Sequence, residues 1–249
     1  MRSSAQKGPP WWVPRPGSQW QWQLSGDLDM SADVPIYDID GESSRKTVQE
    51  LHALGRHVIA YLSVGTAERY RRDVGKLPDV VLGRALPEWP DERWLDIRRR
   101  DLLAPVLLAR LDRCRRTGFD AVEPDNVDAW ANTTGFPLTA ADQLEFNRWI
   151  AREAHARGLG VALKNDLEQV PELVEDFDFA ITEQCLEFDE CDALAPFVEA
   201  GKAVLHVEYE MAPSRFRQLV PVPGFASILK RRSLDAWRFA PDGTAEGLH

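Results

Sequence analysis

Gly118–Asp166 reads GFDAVEPDNVDAWANTTGFPLTAADQLEFNRWIAREAHARGLGVALKND. Its ends, Gly118–Asn126 (GFDAVEPDN) and Gly160–Asp166 (GVALKND), are short apolar runs of strand length. Thr139–Arg157 between them has helical spacing. It opens on a capping-box-like pair, Thr139 and Asp142, and stops at Gly158. Strand, helix and strand in this order predict a parallel pair joined by a right-handed crossover.

The same cycle recurs outward in both directions. Upstream lie Gln19–Leu24 (QWQWQL), Val34–Asp40 (VPIYDID) and His57–Gly65 (HVIAYLSVG). Downstream lie Phe177–Cys185 (FDFAITEQC), Ala203–Tyr209 (AVLHVEY) and Phe225–Lys230 (FASILK). Further helical stretches are Ser44–Leu54 before Gly55, Asp101–Arg116 before Gly118, and Asp192–Ala200 before Gly201. Eight runs with helices between most of them predict an α/β protein, a single (β/α)8 TIM-like barrel over 19–249. An open doubly wound sheet fits less well, because no Gly-rich phosphate turn follows the first strand. Residues 1–18, rich in Pro, Gly and Ser, read as an irregular N-terminal arm. Little chain follows the eighth run, so the final helix is expected to be short. Glu68–Trp94 is long, Pro-rich and charged, and reads as a lid loop or insertion.

A chain of 249 residues can bury a core without staples. It has no apolar run of about 18 residues, which excludes a spanning helix. A net charge of −10 argues against nucleic acid and anionic membranes as partners. Three cysteines are too few for a disulfide framework. Cys185 and Cys191, six apart, either pair or remain thiols. The N-terminus shows no apolar signal region, so the expectation is a cytoplasmic protein or one whose signal has been removed.

Active sites of such barrels lie at the C-terminal strand ends. There the sequence carries Asp38 and Asp40, then Ser63 and Glu68, then Glu123, Asp125 and Asn126. Lys164 and Asn165, Glu183 and Gln184, and Glu208 and Tyr209 follow on later strands. Carboxylates converging on one mouth suit glycoside hydrolysis by an acid and a nucleophile or base. They also suit Mg²⁺ or Ca²⁺ in a metal-dependent hydrolase. Five histidines show no HxH or HExxH arrangement, which gives zinc little support. Gly-x-Ser-x-Gly is absent.

These segments resemble glycoside hydrolase family 114, the endo-α-1,4-polygalactosaminidases, from about Trp20 to Trp237. The resemblance is carried by WQWQL (20–24), YDIDG (37–41), YLSVGTAERYRRD (61–73), GFDAVEPDNVDAW (118–130), DFAITEQC (178–185) and PFVEAGKAVLHVEY (196–209). It departs at Ala60, where the family often has Cys. The resemblance implies a (β/α)8 barrel and a retaining endo-glycosidase acting on galactosaminogalactan-type polymers. Its nucleophile would be Asp125 and its acid/base Glu183, with no metal and no cofactor. The expected partner is a cationic or partly acetylated amino-sugar polysaccharide, met outside the cell by a monomer. A non-catalytic polysaccharide-binding barrel is the alternative.

Around the pair, Asp38, Asp40, Ser63, Glu68, Glu123, Asn165 and Gln184 are expected to bind substrate. Asn126 and Lys164 would also orient the carboxylates, and Glu208 and Tyr209 would line the pocket of the cleaved sugar. Each belongs either to that pocket or to a structural polar network. Trp20 and Trp22 share a strand face, and Trp20 either floors a subsite or packs in the core.

Overall fold

A computed structural model of the protein describes residues 9–220 and 222–247. Within that span the chain order is β1 (Trp20–Gln23), β2 (Ile36–Asp40), α1 (Arg45–Ala53) and β3 (His57–Ser63). The lid strands follow: β4 (Thr66–Glu68), β5 (Leu82–Ala85) and β6 (Glu92–Leu95). Then come α2 (Arg100–Thr117), β7 (Ala121–Asp125), α3 (Ala140–Ala156), β8 (Gly160–Lys164), α4 (Val170–Leu173) and β9 (Phe179–Glu183). The chain continues through α5 (Ala195–Glu199), β10 (Val204–Glu208), α6 (Pro213–Leu219), β11 (Phe225–Lys230), β12 (Arg238–Phe239) and β13 (Ala245–Glu246).

The main sheet has ten strands in the order β1-β2-β3-β7-β8-β9-β10-β11-β12-β13. Its pairings are parallel from β1 to β11 and antiparallel from β11 to β13. The Thr139–Asp142 capping box forms at the start of α3 as read. The short final helix does not form: among the described residues, β11 is followed by the β12–β13 hairpin. No helix lies between β1 and β2 either, and the linker 24–35 makes that crossover without one. The expected lid loop is instead a small antiparallel sheet, β4-β6-β5. The expected arm begins outside the described residues, and 9–18 carries neither helix nor strand.

Two apolar layers place the site. One lies between the sheet and α1–α5 and includes Val48, Leu107, Ile150 and Phe197. The other gathers residues from all eight parallel strands, among them Trp20, Ile36, Ile59, Ala121, Ala162, Ile181, Leu205 and Ile228. Only a sheet curled on itself brings all of these together. Across the seam Trp20 Nε1 donates to Ala226 O at 2.9 Å, and Lys230 Nζ donates to Gln21 Oε1 at 3.0 Å. Leu24 N and Ser25 N donate to Leu234 O. The inner core therefore ends, at the C-terminal strand ends, in whatever each strand presents next on its inward face.

Candidate active site

Alternation sets which side chains reach the mouth. On β7, Ala121 faces the inner core, so Glu123 and Asp125 follow it on that face. On β8 the face runs from Ala162 to Lys164, and on β9 from Phe179 and Ile181 to Glu183. Lys164 is the hub. Its Nζ lies 3.0 Å from Glu123 Oε1, 3.2 Å from Asp125 Oδ1 and 2.8 Å from Glu183 Oε1, and 4.7 Å from the centre of the Trp22 ring. Burial alone would lower the value of the ammonium. The charges of Asp125, Glu123 and Glu183 overcome this and hold it well above the ordinary lysine value.

Each upper carboxylate also accepts a phenol. Tyr61 Oη donates to Asp125 Oδ2, and Tyr209 Oη to Glu183 Oε2, both at 2.8 Å. Burial first, and then the carboxylate each one faces, raises both tyrosine hydroxyls, so they stay donors. Asn165 Oδ1 accepts from Glu183 N at 2.9 Å. Asn126, Asn165 and Gln184 take left-handed backbone, with φ of 60°, 47° and 58°. Asparagine tolerates this better than most residues.

A cleft of about 550 Å³ opens above the pair. Of the expected residues, Asp40, Asp125, Asn126, Lys164, Glu183, Gln184 and Tyr209 line it. Asp38 and Glu123 lie one layer deeper and are fully buried. Burial, then the charge of Glu123, raises Asp38 well above the carboxylate range; burial brings Glu123 up to about 7. The two carboxyl groups face each other, and each is a cause of the other's shift. Ser63 is buried behind Asn126, whose Nδ2 donates to its Oγ at 3.0 Å. Glu68 is buried and consumed by Arg71 and Tyr70, and Arg71 Nη1 also reaches both oxygens of Asp40 at 2.8 Å.

Two expected residues lie elsewhere. Glu208 cannot share a face with Tyr209, since neighbours on a strand point oppositely. Leu205 and Val207 face the inner core, so Glu208 turns outward, where its Oε1 accepts from Leu186 N and faces His206 Nε2, both at 2.8 Å. Trp20 is wholly buried in the inner core, and its neighbour Trp22 lines the cleft. Tyr61, Arg71 and Glu92 line the cleft without having been singled out. Tyr61 was readable, being on the alternation from Ile59. Arg71 and Glu92 belong to the lid, whose pairing no local pattern announced.

Cys185 and Cys191 form a disulfide in the loop after Glu183. Among the described residues, the one cluster with metal-ligand spacing is this pair with His206, and the disulfide occupies both sulfurs.

A family model for glycoside-hydrolase family GH114 matches residues 1–246. The fold superposes on Aspergillus fumigatus Ega3 in complex with galactosamine with a TM-score of 0.88 and 35% identity, covering 92% of this chain and 97% of that one. The glycoside hydrolase domain of PelA from Pseudomonas aeruginosa gives a TM-score of 0.70 at 15% identity, over 90% and 98% of the two chains, a likeness of fold alone. An uncharacterized Deinococcus radiodurans protein is 27% identical over 230 residues, 81% of this chain and 73% of its own.

Proposed function

This chain belongs to glycoside-hydrolase family GH114, and from that premise we propose that it is a retaining endo-glycosidase of α-1,4-linked galactosamine polymers, acting outside the cell. The observation that carries the reading is the pair Asp125 and Glu183, held by a single ammonium at the floor of the cleft. Contacts of 3.2 and 2.8 Å to one nitrogen limit the separation of those two oxygens to about 6 Å. Retaining enzymes need roughly 5–5.5 Å between carboxyl groups, and inverting ones roughly 6.5–9.5 Å. A shared ammonium keeps the two carboxylates close, which favours the shorter, retaining separation.

In this reading Asp125 attacks the anomeric carbon while Glu183 gives its proton to the departing glycosidic oxygen. A covalent sugar–Asp125 ester results. Glu183, now ionised, takes a proton from water as that water attacks the same carbon and releases Asp125. Tyr61 and Lys164 keep Asp125 aimed through both steps, and Tyr209 does the same for Glu183. The galactosamine in the Ega3 structure supports an amino sugar as substrate. Lys164 already supplies the positive charge among these carboxylates, which disfavours the metal-dependent alternative.

The test is digestion of partly deacetylated α-1,4-galactosaminogalactan, with products read by mass spectrometry. Wild-type protein should release oligosaccharides with the anomeric configuration retained. Asp125→Asn and Glu183→Gln should each lower turnover by at least roughly 10²–10⁴-fold, with melting temperatures within a few degrees of wild type. Wild-type turnover in either variant would remove that residue from its role. Binding without product release would leave a barrel that only holds polysaccharide.

A further inference from the structure

The carboxylates that line the cleft differ in what neutralises them. Asp125 and Glu183 share Lys164, Asp40 is held by Arg71, and Glu88 faces Arg232 at 3.7 Å. Glu92, at the start of lid strand β6, has no ion pair among the described residues; its Oε2 accepts from Thr66 Oγ1 at 3.0 Å. It is nearly buried, at 9% exposure, yet forms part of the cleft wall. A carboxylate placed in a substrate cleft without a cation is costly unless a ligand brings one.

We propose that Glu92 is the specificity-determining residue of the cleft, receiving the ammonium group of a deacetylated amino sugar. The proposal rests on the glycosidase reading and adds to it the group that distinguishes an ammonium from an acetamide. An ionised carboxylate accepts hydrogen bonds and offers none, so it suits the first and leaves the acetamide carbonyl without a donor. The lid is thus a reader as well as a cover.

The groups facing Glu92 set its titration. Glu68 on β4 and Asp125 on β7 oppose its charge, while Arg71 beyond β4 and the Thr66 hydroxyl favour it. Tyr61 and Tyr70, both held as neutral phenols, complete the surroundings. Burial is the largest influence and brings Glu92 up to about 7. Below that value the free protein holds a proton on Glu92, which an incoming ammonium must displace. Preference for the charged sugar should therefore weaken as pH falls from 7.5 to 5.5, by about tenfold.

The experiment uses Glu183→Gln as a non-hydrolysing host. Calorimetry measures binding of a galactosamine oligomer and of its fully N-acetylated counterpart at pH 7.5 and 5.5. The host should prefer the galactosamine oligomer, with the stated pH dependence. Adding Glu92→Gln, which keeps an acceptor for Thr66, should reduce that preference by about tenfold or more and flatten its pH dependence. Glu92→Asp should restore part of both. An unchanged preference in the Glu92→Gln background overturns the proposal, and product release by wild-type protein shows separately whether the glycosidase reading stands. Failure of the host to bind either oligomer also overturns it.

Discussion

Lys164 has three carboxylates around one nitrogen and an indole face beside it. Replacing it by Met leaves Glu123, fully buried, with no cation in contact among the described residues. Loss of one partner from a buried ionic cluster costs about 3–5 kcal/mol. Lys164→Met should therefore lower the stability measured by urea unfolding by about that amount. A lysine whose value is raised on folding contributes fully below its ordinary value and loses that contribution only above it. The deficit should thus be undiminished at pH 7. An unfolding midpoint equal to wild type would mean that the acids reorganise to share protons instead. Asp125, Lys164 and Glu183 were legible in the sequence because each lies within two residues of the end of an apolar run, on the parity that alternation turns inward. Glu208 misled because it too lies next to the end of a run, but on the opposite parity to Leu205 and Val207. Trp20 and Trp22 share a parity, and only depth separates them, which a linear pattern does not encode.

At the scale of elements, the loop after β9 is closed by Cys185–Cys191 and pinned by Leu186 N to the outward-facing Glu208. The spacing left pairing open, since a six-residue separation fits a bridge or two thiols equally. Replacing both cysteines by Ser should cost about 2–3 kcal/mol, the chain-entropy value for so short a loop. Thiol titration should find one reactive group after denaturation without reductant, and none before. The remaining thiol, Cys114, is buried and pushed up to about 12 by that burial. The lid joins β3 through Gly65, where a Cβ would come within 1.7 Å of Asn126 O. Gly65→Ala should thus displace the turn beside Asp125, at a cost near the upper end of the 1–3 kcal/mol typical of overpacking. Thermal unfolding should show a clear drop, and turnover should fall with it. The lid's strands escaped sequence reading because β5 and β6 are only four residues each, with Pro87 and Pro90 between them.

The whole molecule carries several acids that burial raises on folding: Asp128 to about 6, Glu123 and Glu92 to about 7, and Asp166 to about 8. Between pH 5 and 7 the unfolded chain has already lost protons that the folded one keeps. Stability should therefore fall as pH rises through that window. Lys230, lowered to about 7 by burial, works the other way only above pH 7, where its unfolded form still binds a proton. Melting temperatures at constant ionic strength should be higher at pH 5 than at pH 7, and the reverse order would contradict the buried-acid picture. The repeated strand–helix cycle made the parallel sheet legible from end to end, while the missing helices at its first and last connections depend on how the two ends meet. That meeting has a kinetic consequence. Trp20 finds its acceptor 206 residues away at Ala226, so this contact closes a loop of nearly the whole chain. Contacts so distant along the chain come late and slow folding. Synthesis on the ribosome would leave the first strand waiting for the last, its two tryptophans meanwhile exposed to chaperones or to neighbouring chains.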